Sequence, residues 1–149
     1  MIRAIYFDMD GTIANLYGVE GWLDSLINEH TKPYRVARPL VDMRRLGREL
    51  NRLKECGYVV GVVSWLSKSG TADYNARVTK TKMEWLKRHL GAVEFDEIHI
   101  VEYGTVKSGV VDYPEGILFD DEVGNRKEWS REGLAFDVDN ILYILENMR

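Results

Sequence analysis

Ile5-Tyr6-Phe7-Asp8-Met9-Asp10-Gly11-Thr12 constrains the architecture of the chain more than any other segment. A short apolar run stops abruptly in two carboxylates, a glycine and a hydroxyl. An apolar run of this kind is a buried strand, and residues 2–8 are expected to form the first one. A strand that ends in paired acids can hold a hard cation against a phosphate, because magnesium takes one or two carboxylates and completes its shell with phosphate and water oxygens.

Working outward, two more runs end in polar residues. Residues 58–63, Tyr-Val-Val-Gly-Val-Val, are continuously apolar and β-branched, as a central parallel strand should be, and they stop at Ser64-Trp65. Residues 117–119, Ile-Leu-Phe, stop at Asp120-Asp121. Strands are also expected at 97–101 and near 133–136. Between them lie helical patterns. Val19, Trp22, Leu23, Leu26 and Ile27 are helically spaced, and a helix from about Pro39 to Glu55 carries apolar residues at 40, 43, 46, 50 and 53. Gly57 ends that helix. Residues 32–39 read as a turn. A loop at 66–75 precedes a helix that runs to Leu90, and a final helix begins near Asp139.

Alternating strands and helices predict an α/β fold with a mostly parallel sheet and helices on both faces. Ligands of such sheets bind beyond the carboxyl ends of the strands. Parallel topology therefore gathers Asp8, Asp10, Ser64, Asp120 and Asp121 at one place.

The bulk composition agrees with a compact catalytic or binding domain. A chain of 149 residues, 45% of them hydrophobic, can bury its own core, and residues 1–149 read as a single domain with a small helical insert at about 15–38. The early apolar stretch Ala4 to Phe7 is too short for a leader or a membrane span, so a cytoplasmic setting with no membrane partner is expected. A lone cysteine, Cys56, fits a reducing compartment and is expected to be buried where a helix meets a strand. Charge is uneven. Residues 32–54 hold eight basic and two acidic residues, a net +6, in a chain whose formal charge is -4. Such a segment can attract a nucleic acid backbone, but Arg44, Arg48 and Arg52 recur every four residues opposite Leu46, Leu50 and Leu53, and a solvated helix face is the favoured reading.

Carboxylates meeting in one cleft repel, and Mg2+ suits an all-oxygen site. Asp8 and Asp120 are the best direct ligands, with Asp121 binding directly or through water. Asp8 can attack phosphorus as a nucleophile. Asp10 can protonate the leaving oxygen and then deprotonate water, helped by neighbouring charge that raises one carboxyl pKa. Ser64 can donate to a phosphate oxygen. Gly11 permits a tight turn, and Thr12 caps it or donates to phosphate. Lys107 is preferred to Lys82 as the cation on the phosphate. Trp65 either stacks on a substrate ring or packs beneath its loop; Tyr17 and Trp22 read more readily as core than as an entrance.

Asp8-x-Asp10-Gly11-Thr12, Ser64 after an apolar strand, Lys107, and Asp120-Asp121-x-x-x-Asn125 together resemble the motifs of the haloacid dehalogenase (HAD) superfamily of phosphohydrolases. The match spans nearly the whole chain and keeps the motif order. The resemblance implies a three-layer Rossmann-like core with strand order 5-4-1-2-3. It also implies Asp8 as nucleophile, Asp10 as acid/base, Ser64 and Lys107 as phosphate binders, and Asp120 and Asp121 as the metal-side acids. The carbonyl of Asp10 would be a further metal ligand, with Asn125 in support. Only 53 residues separate Asp10 from Ser64 and 42 separate Ser64 from Lys107, which leaves room for a minimal cap at most. The expected activity is magnesium-dependent hydrolysis of a small phosphomonoester, such as a nucleotide, through an aspartyl-phosphate. Two alternatives stand beside it: a phosphatase of phosphorylated nucleic-acid or protein ends, and a receiver-type phospho-acceptor module, whose motif order fits less well.

Overall fold

The computed structural model describes residues 3–149. Ile2, where the first strand was expected to begin, lies outside the described residues. Five strands form one parallel sheet: β1 (Ala4–Phe7), β2 (Val59–Trp65), β3 (Glu97–Val101), β4 (Ile117–Phe119) and β5 (Leu134–Phe136). The order β3-β2-β1-β4-β5 is the expected 5-4-1-2-3 viewed from the other edge. β1 is central because it is apolar on both faces, and all four of its residues are buried.

The two faces of β1 feed two cores. Ile5 and Phe7 join Leu46, Leu50 and Leu53 of helix α3 (Met43–Glu55) and Trp85 of helix α4 (Ala72–His89), while Ile141 and Leu145 come from helix α6 (Ile141–Glu146). Tyr6 turns the other way, onto Trp129 of helix α5 (Val123–Trp129), with ring centroids 5.5 Å apart. Gly61 of β2 lies opposite Tyr6; a Cβ there would come within 2.7 Å of the tyrosine ring. Leu50 is fully buried in α3, and Leu50→Ala would cost about 2–5 kcal/mol.

Local chemistry sets the helix boundaries. Asp42 caps α3 by accepting from the N–H groups of Arg44 and Arg45, so α3 begins at Met43 rather than at Pro39. Thr71 caps α4 in the same way, accepting from Tyr74. Two short helices, α1 (Trp22–Ile27) and α2 (Lys32–Val36), precede α3. The turn expected at 32–39 is thus largely helix: Pro33 sits in the first turn, where its missing N–H costs nothing, and burial of Pro33 and Tyr34 holds the segment in place. Cys56 is exposed rather than buried, because α3 ends at Glu55 and leaves it just beyond the helix.

Three of the eight cations in the basic segment, at positions 45, 52 and 54, have ion-pair partners. Arg45 pairs with Glu146, and Arg52 pairs with Glu49 and donates to the carbonyls of Leu145 and Met148. Lys54 pairs with Asp96. These contacts fasten α3 to the C-terminal segment and to the approach to β3. Among the described residues, no helix is long and apolar enough to cross a membrane.

Candidate active site

Pairing in the sheet fixes the acids. The N–H of Asp8 donates to the carbonyl of Phe119 at 2.9 Å, and the N–H of Asp120 donates to that of Phe136 at 3.1 Å. Each aspartate is therefore held one residue beyond its strand by its neighbour's last carbonyl. The chain then reverses sharply after β1, with the N–H groups of Thr12, Ile13 and Ala14 all directed at the Met9 carbonyl. Gly11 in this turn has φ +81°, and a Cβ on it would lie 2.3 Å from Asp121 Oδ2 and 2.9 Å from the Tyr17 ring. Only glycine fits.

Asp8, Asp120 and Asp121 each offer a carboxylate oxygen, and the three oxygens lie within 4.8 Å of one another. Lys107, in a short 3-10 turn at Lys107–Gly109, reaches between two of them: Nζ is 2.9 Å from Asp8 Oδ1 and 2.7 Å from Asp120 Oδ2. Thr12 Oγ1 lies 3.1 Å from Asp8 Oδ2 and 3.3 Å from Asp121 Oδ1, and accepts from the Asp121 N–H. The second oxygen of Asp120 accepts from the Glu122 N–H, and Asn125 Nδ2 donates to Oδ2.

This crowding has an electrostatic signature. Burial, followed by the charge of Asp8, raises Asp120 to about 6 and Asp121 to about 7. Burial chiefly raises Asp10 as well, and the neighbouring Asp8 adds to it while Lys82 opposes it. Lys107 is raised too: burial works against its charge, but Asp8 and Asp120 outweigh that. A single ammonium among three close carboxylates leaves negative charge uncompensated. An all-oxygen donor set of this size and charge fits a hard divalent cation such as magnesium.

Asp10 faces a different partner. Its Oδ2 accepts from Nζ of Lys82 at 2.8 Å. Lys82 also donates to Ser64 Oγ at 2.8 Å and to the Trp65 carbonyl at 2.7 Å. Sequence reasoning set Lys107 and Lys82 as rivals for one post; the structure brings both to the site on different partners. One signal for Lys82 was available. It continues the four-residue spacing of Tyr74 and Val78, the buried stripe of α4, where a lysine needs a polar partner.

Asp8, Asp10, Lys107, Asp120 and Asp121 form the polar floor of a cavity of about 330 Å³. Gly11, Thr12 and Ser64 lie beside these acids without lining the cavity. Its walls are mainly apolar and aromatic. Tyr17 and Trp22 meet edge to face at 4.9 Å on one side, and Trp65 and Tyr103 pair at 4.9 Å on another. Leu23, Leu26 and Ile27 of α1 line it as well, and Ile27 is 68% exposed. Trp65 lines the cavity, and its Nε1 donates to the Thr105 carbonyl at 2.8 Å. The aromatic residues Tyr34 and Tyr103 line the cavity without having been singled out from sequence; neither carries a local signal that separates it from core.

No family model matches the chain, and no curated protein matches it significantly. Solved structures do. A D,D-heptose 1,7-bisphosphate phosphatase from Burkholderia thailandensis aligns with TM-score 0.61 and 13% identity over 97% of each chain. A HAD family enzyme from Bacteroides thetaiotaomicron aligns with TM-score 0.57 and 12% identity over 99% of each chain. A D,D-heptose 1,7-bisphosphate phosphatase from B. bronchiseptica, in complex with magnesium and phosphate, aligns with TM-score 0.53 and 12% identity over 90% of this chain and 78% of that one. At this identity the likeness is one of fold: over nearly its whole length, the chain adopts the fold of these three proteins.

Proposed function

We propose that this protein is a magnesium-dependent phosphomonoester hydrolase that works through an aspartyl-phosphate on Asp8. The observation that carries this reading is the convergence of Asp8, Asp10, Lys107, Asp120 and Asp121 on one cavity floor. The fold shared with phosphatases, one of them bound to magnesium and phosphate, supports it.

Asp8, Asp120 and Asp121 would hold the metal, with the Asp10 carbonyl and Asn125 assisting. Bound there, magnesium would supply charge neutralisation for the phosphoryl oxygens. An Asp8 carboxylate oxygen attacks phosphorus, the bond to the ester oxygen breaks, and that oxygen leaves with the bonding electron pair. Asp10 gives it a proton, so the free alcohol departs. Asp10, now a carboxylate, takes a proton from the water that attacks the aspartyl-phosphate; Asp8 is regenerated and inorganic phosphate leaves. Lys107 spends two of its three N–H donors on Asp8 and Asp120, which leaves one for a phosphate oxygen. Ser64, expected to donate to another, is fully buried with its Oγ on Lys82 Nζ and does not line the cavity.

The substrate is a small ester with a flat aromatic group, a nucleotide being the natural instance. Two aromatic pairs line the cavity, and its only cations among the described residues are Lys68 and Lys107. A second phosphate would find little to bind, and a sugar polyol would meet mainly apolar wall. Residues 15–38, which contribute Tyr17, Trp22 and α1 to that wall, serve as a minimal cap on a single catalytic domain. Macromolecular phosphate ends have less support, since none of the eight cations of residues 32–54 lines the cavity.

Hydrolysis of p-nitrophenyl phosphate with magnesium, run beside Asp8→Asn, tests the reaction. Activity in the parent that is lost in the variant is expected; equal activity in both would overturn the assignment of Asp8. A panel of nucleoside monophosphates against sugar phosphates tests the substrate class, and a preference for the sugar phosphates would overturn it.

A further inference from the structure

Lys82 is 1% exposed, and its ammonium is surrounded. An ammonium has three N–H donors. Asp10 Oδ2, Ser64 Oγ and the Trp65 carbonyl, at 2.7–2.8 Å, take all three, and the Tyr34 ring closes the remaining side, 5.1 Å from Nζ to its centroid. No hydrogen is left for a phosphate. The lysine links the turn after β1 to the end of β2. On Asp10, only Oδ2 has a hydrogen-bond partner among the described residues. Oδ1 is left to face the cavity that Asp10 lines.

We infer that Lys82 is a positioning residue: it fixes the Asp10 carboxyl by one oxygen so that the other meets the ester oxygen. The two lysines divide the work. Lys107 acts at Asp8 and the transferring phosphoryl group, and Lys82 acts at Asp10 and the departing alcohol. This inference rests on the phosphatase reading and deepens it.

The distinguishing property is sensitivity to the leaving group. p-Nitrophenolate is stable enough to leave without a proton, whereas an alkoxide needs one from Asp10. Parent, Lys82→Met and Asp10→Asn are compared on p-nitrophenyl phosphate and on an alkyl phosphate, with magnesium. In Lys82→Met, kcat on the alkyl ester is expected to fall at least about tenfold further than kcat on p-nitrophenyl phosphate, in the same sense as in Asp10→Asn. Equal losses on the two esters would overturn the inference, because a lysine that bound the phosphate or merely held the fold would slow both alike. Should Lys82→Met fail to fold because Asp10 is left without its cation, the Asp10→Asn/Lys82→Met double variant removes the buried pair as a unit. Its kcat on either ester should stay within about threefold of Asp10→Asn alone, since residues that act as one are non-additive. A further tenfold loss on both esters would overturn the inference. The phosphatase reading fails separately, through an inactive parent, and would take this inference with it.

Discussion

Lys107 Nζ lies 2.9 Å from Asp8 Oδ1, at a lysine only 3% exposed. The contact joins the residue that would attack phosphorus to the ammonium that spans Asp8 and Asp120. Lys107→Met would strand two buried carboxylates against each other. Breaking a buried pair by removing one partner costs about 3–5 kcal/mol. A large loss of thermal stability is expected in EDTA, with part of it recovered in magnesium, and kcat should fall at least about a hundredfold. Melting curves with and without metal, read beside turnover, check both.

The raised carboxyls give stability a defined pH dependence. Asp120 and Asp121, pushed up to about 6 and about 7 first by burial and then by Asp8, bind protons more tightly in the folded protein than in the unfolded chain. Between the ordinary carboxylate value of 3.8 and about 7, the folded state therefore carries more protons. Their contribution to stability is fully present below the ordinary value and is lost as pH rises through about 6 and 7. Melting in EDTA should show this loss. Magnesium needs the ionised forms, so the stabilisation it gives should grow over the same interval. A magnesium effect that is flat from pH 5 to pH 8 would contradict the assignment of these acids as ligands.

Gly11→Ala should damage the site rather than the core. The substitution meets both a positive φ and the Asp121 carboxylate. Backbone strain of this kind costs about 1–3 kcal/mol. Because Asp121 must move, the magnesium concentration for half-maximal activity is expected to rise by about tenfold or more, with a modest drop in melting temperature. Titration of activity with magnesium makes the comparison.

Aromatic walls predict a selective effect. Trp22→Ala should raise KM for an aromatic phosphate ester by about five- to tenfold, in line with stacking worth about 1–3 kcal/mol per ring. KM for a short alkyl phosphate should change little. Equal changes for the two esters would mean that Trp22 supports α1 without touching substrate.

The parts of this site that sequence made legible are those where a strand ends. Asp8 and Asp120 each interrupt an unbroken apolar run just past a strand, and parallel topology alone then brings them together; Ser64 interrupts its own run, but β2 continues through it to Trp65. What was hidden depends on contacts made across the fold. Lys82 stands in mid-helix, and its partners are 72, 18 and 17 residues away along the chain. The α2 helix looked like a turn because of Pro33, and only burial of Tyr34 against α4 reveals otherwise. Cys56 was misjudged because one residue of helix length decides between core and solvent.

In the proposed mechanism Asp8 carries the phosphoryl group. This is tested most directly by quenching the enzyme during turnover with magnesium, reducing it with borohydride and mapping the product by mass spectrometry. Reduction converts an aspartyl-phosphate to homoserine. The account predicts homoserine at position 8, dependent on substrate and absent from Asp8→Asn. Homoserine at another aspartate, or turnover that leaves every aspartate unmodified, would contradict it.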